Sequence, residues 1–285
     1  MIRELHLSYK GLPLSRMCQL LHVPRSLVYR KPADRSAREA FYRDLKVHIE
    51  STLAANPGYG YRRVRRDLRK RQIPCGYKSV TRAMKEGNLQ RRPRRKTPRT
   101  SDGKGKGNYP NLLKELVIEA PGTVWVADIT YIGVPGGFAY LATVLDVYLR
   151  KIVGSAMSGR IDTRLTLRAL SQAIATRPPN PEWIFHSDRG SQYLSEAHIQ
   201  MVLDNGGRIS CSDKACPQDN AFMESFFKTL KAEEVWLEDY ESIRHADQSI
   251  AKYISYYNTT RMHSSLNYMS PEEFEAWLKE NDQSR

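Results

Sequence analysis

Three β-rich runs separated only by short turns constrain the fold more than any other feature of this sequence. They are TVWVADITYI (123–132), GFAYLATVLDVYL (137–149) and RKIVGSAMS (150–158). Pro-Gly-Gly and Arg-Lys turns join the runs, which is typical of an antiparallel meander of three strands. Beyond the meander, the predicted elements are a helix at about 163–176, a strand at 182–187, a helix near 195–204 and a strand near 208–211. This order predicts an α/β fold, with helices layered on a sheet.

Two predicted helices of this region carry recognisable start signals. Asp162 precedes the helix at 163–176 and is a suitable N-cap residue. Near the end of the chain, Ser270 and Glu273 have the spacing of a capping box, with Pro271 in the first turn. From about residue 219 onward, the pattern predicts mainly helices.

The first part of the chain predicts small helical units. Residues 13–31 indicate two short helices joined at His22-Val23, the first capped by Ser15 and the second beginning at Pro24. The second helix would present Arg25 and Arg30, as the recognition helix of a helix-turn-helix does. Two ordinary amphipathic helices remain an alternative, because the pattern is common.

A second helical unit is predicted over residues 37–90. A stripe of apolar residues recurs every four positions at Phe41, Leu45, Ile49 and Leu53, and Asn56-Pro57-Gly58 breaks the helix. In YRRVRRDLRKR (61–71), arginines including Arg62, Arg65 and Arg66 surround an apolar face, which favours contact with phosphates over a merely solvated surface. A third helix is predicted to begin near Ser79, to expose Arg82 and to end at Gly87.

These patterns divide the chain into four segments. We expect a helix-turn-helix-like segment at 1–36, the second helical unit at 37–90, a basic flexible linker at 91–110 and the α/β part at 111–285. The linker combines Gly and Pro with many basic residues, including Arg94 and Arg95, and is almost without apolar residues. Its string DGKGKG follows no predicted strand, so we interpret it as linker and not as a phosphate-binding loop.

The positive charge is concentrated in the first segments. Residues 1–109 contain 28 Lys and Arg against 8 Asp and Glu, whereas residues 110–285 contain 17 against 23. A function limited to solubility would not require one sign of charge to be concentrated so strongly. The distribution therefore predicts a region that binds polyanions such as nucleic acid, joined to a part with another task.

Three acids occupy positions that such a fold can bring together. Asp128 lies in the middle of the first strand, Asp188 just beyond a later strand, and Glu224 on a predicted helix. A charge inside an apolar strand is costly unless it is paired or bound to a metal. Spacing alone does not distinguish these two possibilities, because a chain with 31 acids contains many chance combinations.

The residues around the three acids make the pattern specific. WVADITYI, HSDRGSQY and DNAFMESFFKTLKAE resemble the three carboxylate motifs of D-D-E transposases and retroviral integrases, and 35 residues separate Asp188 from Glu224, as in that superfamily. The resemblance covers about 120–275, including YNTTRMHSSLNYMSPEEF, and is greatest to the OrfB product of bacterial insertion sequences of the third family. The helical unit at 37–90 resembles that family as well. Family members usually carry a basic residue and a Gly where this chain has Asp213 and Ala215.

The resemblance implies both a fold and a chemistry. The fold would be a ribonuclease-H-like integrase core, a mixed five-stranded sheet with helices, preceded by all-α helix-turn-helix units. The activity would be DNA transposition, in which the chain binds the ends of its mobile element, cleaves phosphodiesters and joins strands through a 3′-OH. Two Mg²⁺ ions, with Mn²⁺ as a substitute, would be held by Asp128, Asp188 and Glu224, with Asp128 bridging both ions.

Three further residues lie near these acids in the sequence. Lys231 follows Glu224 by seven residues and Lys228 by four, so that both point in its direction on an ideal helix and are expected to contact DNA; a solvated lysine is the alternative for Lys231. His186 precedes Asp188 by two residues, but the sequence offers no second ligand with zinc spacing, so a structural role is preferred. The chemistry of Tyr257, Asn258, Arg261 and His263 does not follow from the sequence.

The implied partners are duplex DNA, comprising element ends and target, further copies of the chain on that DNA, and an upstream OrfA-type protein. No apolar run approaches the roughly 20 residues of a membrane helix, so we expect no membrane partner and a cytoplasmic, nucleoid-associated protein. Two alternatives remain open: a non-catalytic DNA-binding regulator with the same fold, and a nuclease that hydrolyses DNA without joining it.

Overall fold

The computed structural model describes residues 13–24, 35–89, 109–114, 116–213 and 220–282. The chain divides into two compact units, Met1–His48 and Ile49–Arg285. The second unit contains the sheet and all of the helices that follow it.

Two helices begin the described part of the chain. Helix α1 spans Leu14–Leu20, and helix α2 spans Arg35–Ala55. The prediction that Ser15 caps the first helix is wrong: Pro13 occupies the cap position, so the hydroxyl of Ser15 lies inside the first turn. The predicted turn at His22 is confirmed by its left-handed backbone, with a φ of 49°. The second helix of this pair, with Arg25 and Arg30, lies outside the described residues.

Two short helices follow the predicted break after Ala55. Helix α3 spans Tyr61–Lys70 and buries Val64 and Leu68, and helix α4 spans Tyr77–Glu86. Ser79 does not begin α4, as the sequence suggested; it lies in the first turn, where its hydroxyl accepts a hydrogen bond from the Gly76 N–H at 2.9 Å. The helix starts earlier because Gly76 is extended and Ser79 satisfies its free N–H group.

A five-stranded mixed sheet is the centre of the second unit. Its strands are β1 (Val124–Val134), β2 (Gly137–Asp146), β3 (Lys151–Ser158), β4 (Ile184–Ser187) and β5 (Arg208–Cys211). Their order across the sheet is β3-β2-β1-β4-β5. The first three strands are antiparallel, as predicted, and β1, β4 and β5 are parallel. The meander thus gains two parallel strands on one side only.

Helices cover both faces of this sheet. The helices after β3 are α5 (Thr163–Thr176), α6 (Glu196–Asp204), α7 (Ala221–Leu230), α8 (Ile243–Thr259) and α9 (Pro271–Asp282). One core contains Val124 and Val126 of β1 with apolar side chains of α7 and α8. The other contains Trp125 and Ala127 with side chains of α5 and α6. Alternate residues of β1 therefore face opposite layers.

The predicted start signals of two of these helices are confirmed. The Asp162 carboxylate accepts a hydrogen bond from the Leu165 N–H at 2.9 Å. Ser270 and Glu273 form the reciprocal capping box, with backbone-to-side-chain distances of 2.8 and 3.2 Å. Within the residues that the structure describes, every helix is too short or too polar to span a lipid bilayer.

Candidate active site

Strand β1 presents Asp128 toward the layer that contains α7. Val124 and Val126 lie in the core beneath α7 and α8, and Asp128 continues the same alternation along the strand. On the other side of the sheet ladder, Asp128 pairs with Thr143 of β2. Asp128 lies where the buried part of the strand gives way to partly exposed positions.

Asp188 lies beside Asp128 because β4 runs parallel to β1. Val126 is in register with His186, and continuing this register by two residues sets Asp128 opposite Asp188. Asp188 directly follows β4, at its carboxyl end, and its Oδ1 accepts a hydrogen bond from the Gly190 N–H at 3.0 Å. The parallel pairing thus brings together two acids that are 60 positions apart in the sequence.

The charge of Asp188 affects the ionisation of Asp128. Burial and the nearby Asp188 carboxylate raise the pKa of Asp128 to about 7, against the lowering effect of the Ile129 N–H, which donates to it at 2.7 Å. Burial also raises the pKa of Asp188, and the hydrogen bond from Gly190 opposes this. Two half-buried carboxylates on neighbouring strands favour a cation between them, since a cation would remove the repulsion that raises the pKa of Asp128.

Glu224 stands apart from this pair. It lies in the first turn of α7, is exposed, and forms an ion pair with Lys228 at 2.7 Å. In the described ranges, no group of three acidic, His or Cys side chains is placed to hold one metal ion. The structure therefore brings together two of the three predicted acids, and Lys228 contacts the third.

Lys231, directly after α7, interacts electrostatically with Asp128. It begins a π-helical turn, Lys231–Val235, and its Nζ lies 4.2 Å from the centroid of the Tyr131 ring. Its charge lowers the pKa of Asp128, after the larger effects of burial and Asp188, while burial lowers the pKa of Lys231 itself. Lys231 is thus part of the same charged cluster and is not simply solvated.

The remaining residues that were predicted to bind DNA have varied surroundings. Arg62 and Arg66 are exposed on α3, and their guanidinium groups lie 5.5 Å from the Tyr61 ring and 5.9 Å from the Tyr268 ring. Arg65 is stacked at 3.9 Å on Tyr77. Arg82 forms an ion pair with Glu86 at 2.7 Å on α4. The other four, Arg25, Arg30, Arg94 and Arg95, lie outside the described residues.

His186 has structural partners. Its ring nitrogens lie 2.8 Å from the Ser210 hydroxyl and 3.1 Å from the Ser212 hydroxyl, and the side chain is fully buried. These contacts connect β4 to β5 and the residue after it. They hold in place β4, the strand that directly precedes Asp188.

The sequence alone gave no role to the terminal motif, and the structure provides one. Arg261 forms a bidentate ion pair with Glu233, at 2.7 and 2.9 Å, in the turn that follows α7. The Asn258 amide bonds both backbone groups of Ile152 on β3, at 2.8 and 3.0 Å. Tyr257 packs edge-on against Phe226 of α7, with ring centroids 5.0 Å apart. The motif therefore fixes α7, which carries Glu224, and the turn after it, which begins with Lys231.

Tyr193 is a further residue of the site that sequence reasoning missed. It is buried, and in the described part of the chain its hydroxyl has no hydrogen-bond partner. Burial and the negative charges of Asp128 and Asp188 raise its pKa well above the usual value. Tyr193 is the last residue of the quoted motif HSDRGSQY, and this position is the signal that could have identified it.

The donor set suits a hard divalent cation. Asp128 and Asp188 provide carboxylate oxygens, the ligands that Mg²⁺ prefers, and a cation would relieve the repulsion that raises the pKa of Asp128. Lys231 adds a positive charge beside them that suits an anionic group such as a phosphate. The two aspartates fit such an ion, and a contribution from Glu224 requires it to leave Lys228.

Models of known protein families match most of the chain. Two models described as integrase core domain match residues 118–217 and 205–271, and one described as HTH-like domain matches residues 42–97. With the mixed five-stranded sheet and its two helical layers, these matches establish the expected ribonuclease-H-like integrase core with an N-terminal helical region. The solved catalytic core domain of BIV integrase is 14% identical, covers 57% of this chain and 98% of its own, and has a TM-score of 0.44.

Several curated relatives match nearly the whole chain. The transposase for insertion sequence element IS904 of Lactococcus lactis is 37% identical, over 88% of this chain and 99% of its own length. Transposase InsF for insertion sequence IS3A of Escherichia coli is 32% identical, over 92% of this chain and 93% of its own length. The chain therefore belongs to the OrfB-type transposases of bacterial insertion sequences, within the integrase superfamily of polynucleotidyl transferases.

Proposed function

We propose that this transposase binds the ends of its mobile element, cleaves a phosphodiester there in a Mg²⁺-dependent reaction, and joins the resulting 3′-OH to target DNA. The observation that carries the proposal is the pair of half-buried carboxylates on neighbouring parallel strands, with Asp128 within β1 and Asp188 directly after β4. Glu224, on the helix that packs over β1, supplies the third carboxylate. This assignment goes beyond the family's general activity, DNA transposition by an integrase-type core.

Asp128, Asp188 and Glu224 would hold two Mg²⁺ ions, or Mn²⁺ in their place. When bound, such ions activate the attacking oxygen and stabilise the leaving one. Lys231 contributes a fixed positive charge beside Asp128 and binds a phosphate oxygen of the DNA. Lys228 forms an ion pair with Glu224 in this structure. When Glu224 turns toward the aspartates, this ion pair breaks and Lys228 binds a DNA phosphate.

The helical region supplies DNA contacts outside the site. Arg62, Arg65, Arg66 and Arg82 on α3 and α4, with Arg25, Arg30, Arg94 and Arg95, neutralise backbone phosphates of the element ends. We infer that several copies assemble on the two ends, that an OrfA-type protein joins them, and that the protein acts in the bacterial cytoplasm at the nucleoid.

The carboxylates are tested by isosteric substitution. Asp128→Asn, Asp188→Asn and Glu224→Gln each remove a ligand charge but little volume, so each is expected to lower cleavage and joining by at least about 1,000-fold, equivalent to about 4 kcal/mol of barrier. The substrate is a duplex with the terminal sequences that flank the coding region. Binding of the same duplex, measured without metal, is expected to stay within about threefold.

Asp239→Asn and Glu119→Gln serve as matched controls, because both acids are exposed. Activity within about tenfold of wild type in any of the three test variants removes that residue from the metal site. Cleaved but unjoined products in wild type would favour the nuclease alternative, and binding without cleavage would favour the regulator. Activity that persists in a chelator, without Mg²⁺ or Mn²⁺, contradicts the metal requirement.

A further inference from the structure

A cavity of about 360 Å³ lies on the flank of α7, beside the face that carries Glu224. It could hold roughly twelve water molecules at about 30 Å³ each, which is ample for a phosphate group and its hydration. Its polar lining includes three arginines from three distant parts of the chain and three serine hydroxyls: Arg63, Arg150, Arg261, Ser225, Ser264 and Ser265. Its described lining includes no Asp or Glu.

The charges of these arginines are only partly compensated. Arg261 and Arg63 share one carboxylate, Glu233, with Arg63 at 3.6 Å and Arg261 in the bidentate pair. For Arg150, the described residues provide no carboxylate within ion-pair distance; its guanidinium lies 4.0 Å from the centroid of the Phe222 ring. Three positive charges against one negative charge leave an excess of two at a partly buried site.

The three guanidinium groups line one cavity, and their charges act on the titratable groups around it. Burial, followed by the charges of Arg261, Arg63 and Arg150, lowers the pKa of His263 to about 3. His263 is therefore neutral at pH 7 and does not add to the charge. The same three arginines oppose the rise in the pKa of Tyr257, to about 12, that burial causes.

The cavity also offers neutral donors. Ser225 lies on α7 next to Glu224, and Ser264 and Ser265 belong to a short 3₁₀ turn, Ser264–Leu266. No hydrogen bond is formed by these hydroxyls to any part of the chain that the structure describes. Guanidinium groups combined with free hydroxyls suit the tetrahedral oxygens of a phosphate, and arginine binds such oxygens in pairs.

We propose that this cavity binds one phosphodiester of the DNA backbone, separate from the carboxylate site, and so holds DNA along the flank of α7. A DNA phosphate is favoured over free phosphate because Ser225 adjoins Glu224, so that a strand crossing the acids passes the cavity. The inference rests on the proposed function only in that the chain acts on DNA. It assigns to the terminal motif, through Arg261 and the serines, a direct contact with the substrate.

The test is binding of duplex DNA to the full chain, without metal, over a series of salt concentrations. Arg150→Met keeps an unbranched stem over Phe222 but removes the charge. If Arg150 neutralises one phosphate, this variant should bind about tenfold more weakly, and the slope of log K against log[salt] should become shallower by about 0.9. The matched control is Arg208→Met, an exposed arginine on β5, at the opposite edge of the sheet from β3.

A second variant tests the same cavity at an exposed position, in case Arg150→Met does not fold. Ser265 is exposed, so Ser265→Glu should fold and place a carboxylate at the cavity, where it would compete with phosphate. We expect it to weaken DNA binding at least as much as Arg150→Met does. Ser171→Glu on α5, which lies on the other face of the sheet, is the control and should bind like wild type.

Inorganic phosphate separates the two sources of the ligand. We expect inorganic phosphate to raise the melting temperature of wild type more than that of Arg150→Met. We also expect inorganic phosphate to compete with DNA for binding. If phosphate stabilises wild type but both variants keep the wild-type salt slope, the cavity takes free phosphate and the DNA assignment is overturned. If both variants match their controls in every measurement, the whole inference fails. Because no catalysis is measured, inactivity of the carboxylate site would leave these results unaffected.

Discussion

Asp128 lies within a largely buried strand, and the Asp188 carboxylate on the neighbouring strand repels its charge. Its pKa of about 7 reflects burial first and the Asp188 charge second. Such a position costs stability in the absence of a cation. We interpret this cost as the consequence of a site built to bind positive charge, because Lys231 offsets it only in part.

This interpretation predicts opposite effects of one substitution on activity and stability. In metal-free buffer at pH 8, Asp128→Asn should raise the free energy of unfolding by on the order of 2 kcal/mol, because it removes a partly buried charge beside Asp188. Urea denaturation measures the effect, with Asp239→Asn as the exposed control. A variant less stable than wild type would show that Asp128 is a structural residue whose charge the fold requires.

At the scale of elements, ion pairs attach the last helix to the sheet layer. Glu275 of α9 lies 3.0 Å from the Lys151 ammonium of β3 and 2.5 Å from the Arg177 guanidinium that follows α5. Burial opposes its ionisation, but the hydrogen bonds and charges of these two residues outweigh burial and lower the pKa of Glu275 to about 2. The pairing therefore stabilises α9 only while Glu275 is charged.

The sign of the pH effect follows from this lowered pKa. Stability from Glu275 is complete above its unfolded pKa, near 4.5, and is lost as the pH falls toward 2. Glu275→Gln should therefore cost on the order of 2 kcal/mol at pH 7, and the difference from wild type should shrink steadily between pH 5 and pH 2.5. Chemical denaturation across this range tests it, with exposed Glu119→Gln as control. A difference that does not depend on pH would mean that packing, not charge, holds α9.

At the scale of the whole molecule, the described basic helices are not independent of the catalytic part. Within the unit Ile49–Arg285, the Tyr59 hydroxyl accepts a hydrogen bond from the Met262 N–H at 3.1 Å, and the Tyr256 hydroxyl donates to Asn56 at 2.6 Å. Arg63 of α3 reaches Glu233 in the turn after α7. The segment limits at residues 36, 90 and 110 stay predictions. Because of these contacts, truncating the chain near residue 110 would expose buried groups.

DNA binding by α3 is therefore best tested in the full chain. Arg62 and Arg66 are exposed, so the double variant Arg62→Gln/Arg66→Gln should fold normally. If each arginine neutralises one phosphate, the slope of log K against log[salt] should become shallower by about 1.8. The matched control is Arg208→Gln/Arg244→Gln, which removes the same charge from exposed positions. Equal slopes in the two double variants would contradict a specific role for α3.

Features that depend on neighbouring residues were determined by the sequence alone. The meander, the helix capped by Asp162 and the capping box at Ser270 were predicted correctly because periodicity and cap chemistry act within a few residues. Ser15 and Ser79 show where local reading fails. Each was a plausible cap, but Pro13 and Gly76 began their helices earlier.

Features that depend on contacts between distant residues were decided only by the tertiary structure. The motifs identified Asp128, Asp188 and Glu224, but the parallel pairing of β1 with β4 is what places the two aspartates together. The bidentate pair of Arg261 with Glu233, and the convergence of Arg63, Arg150 and Arg261 on one cavity, join residues up to 198 positions apart. Local sequence periodicity does not predict such pairings, because these contacts contribute to the free energy of folding only once the chain has packed.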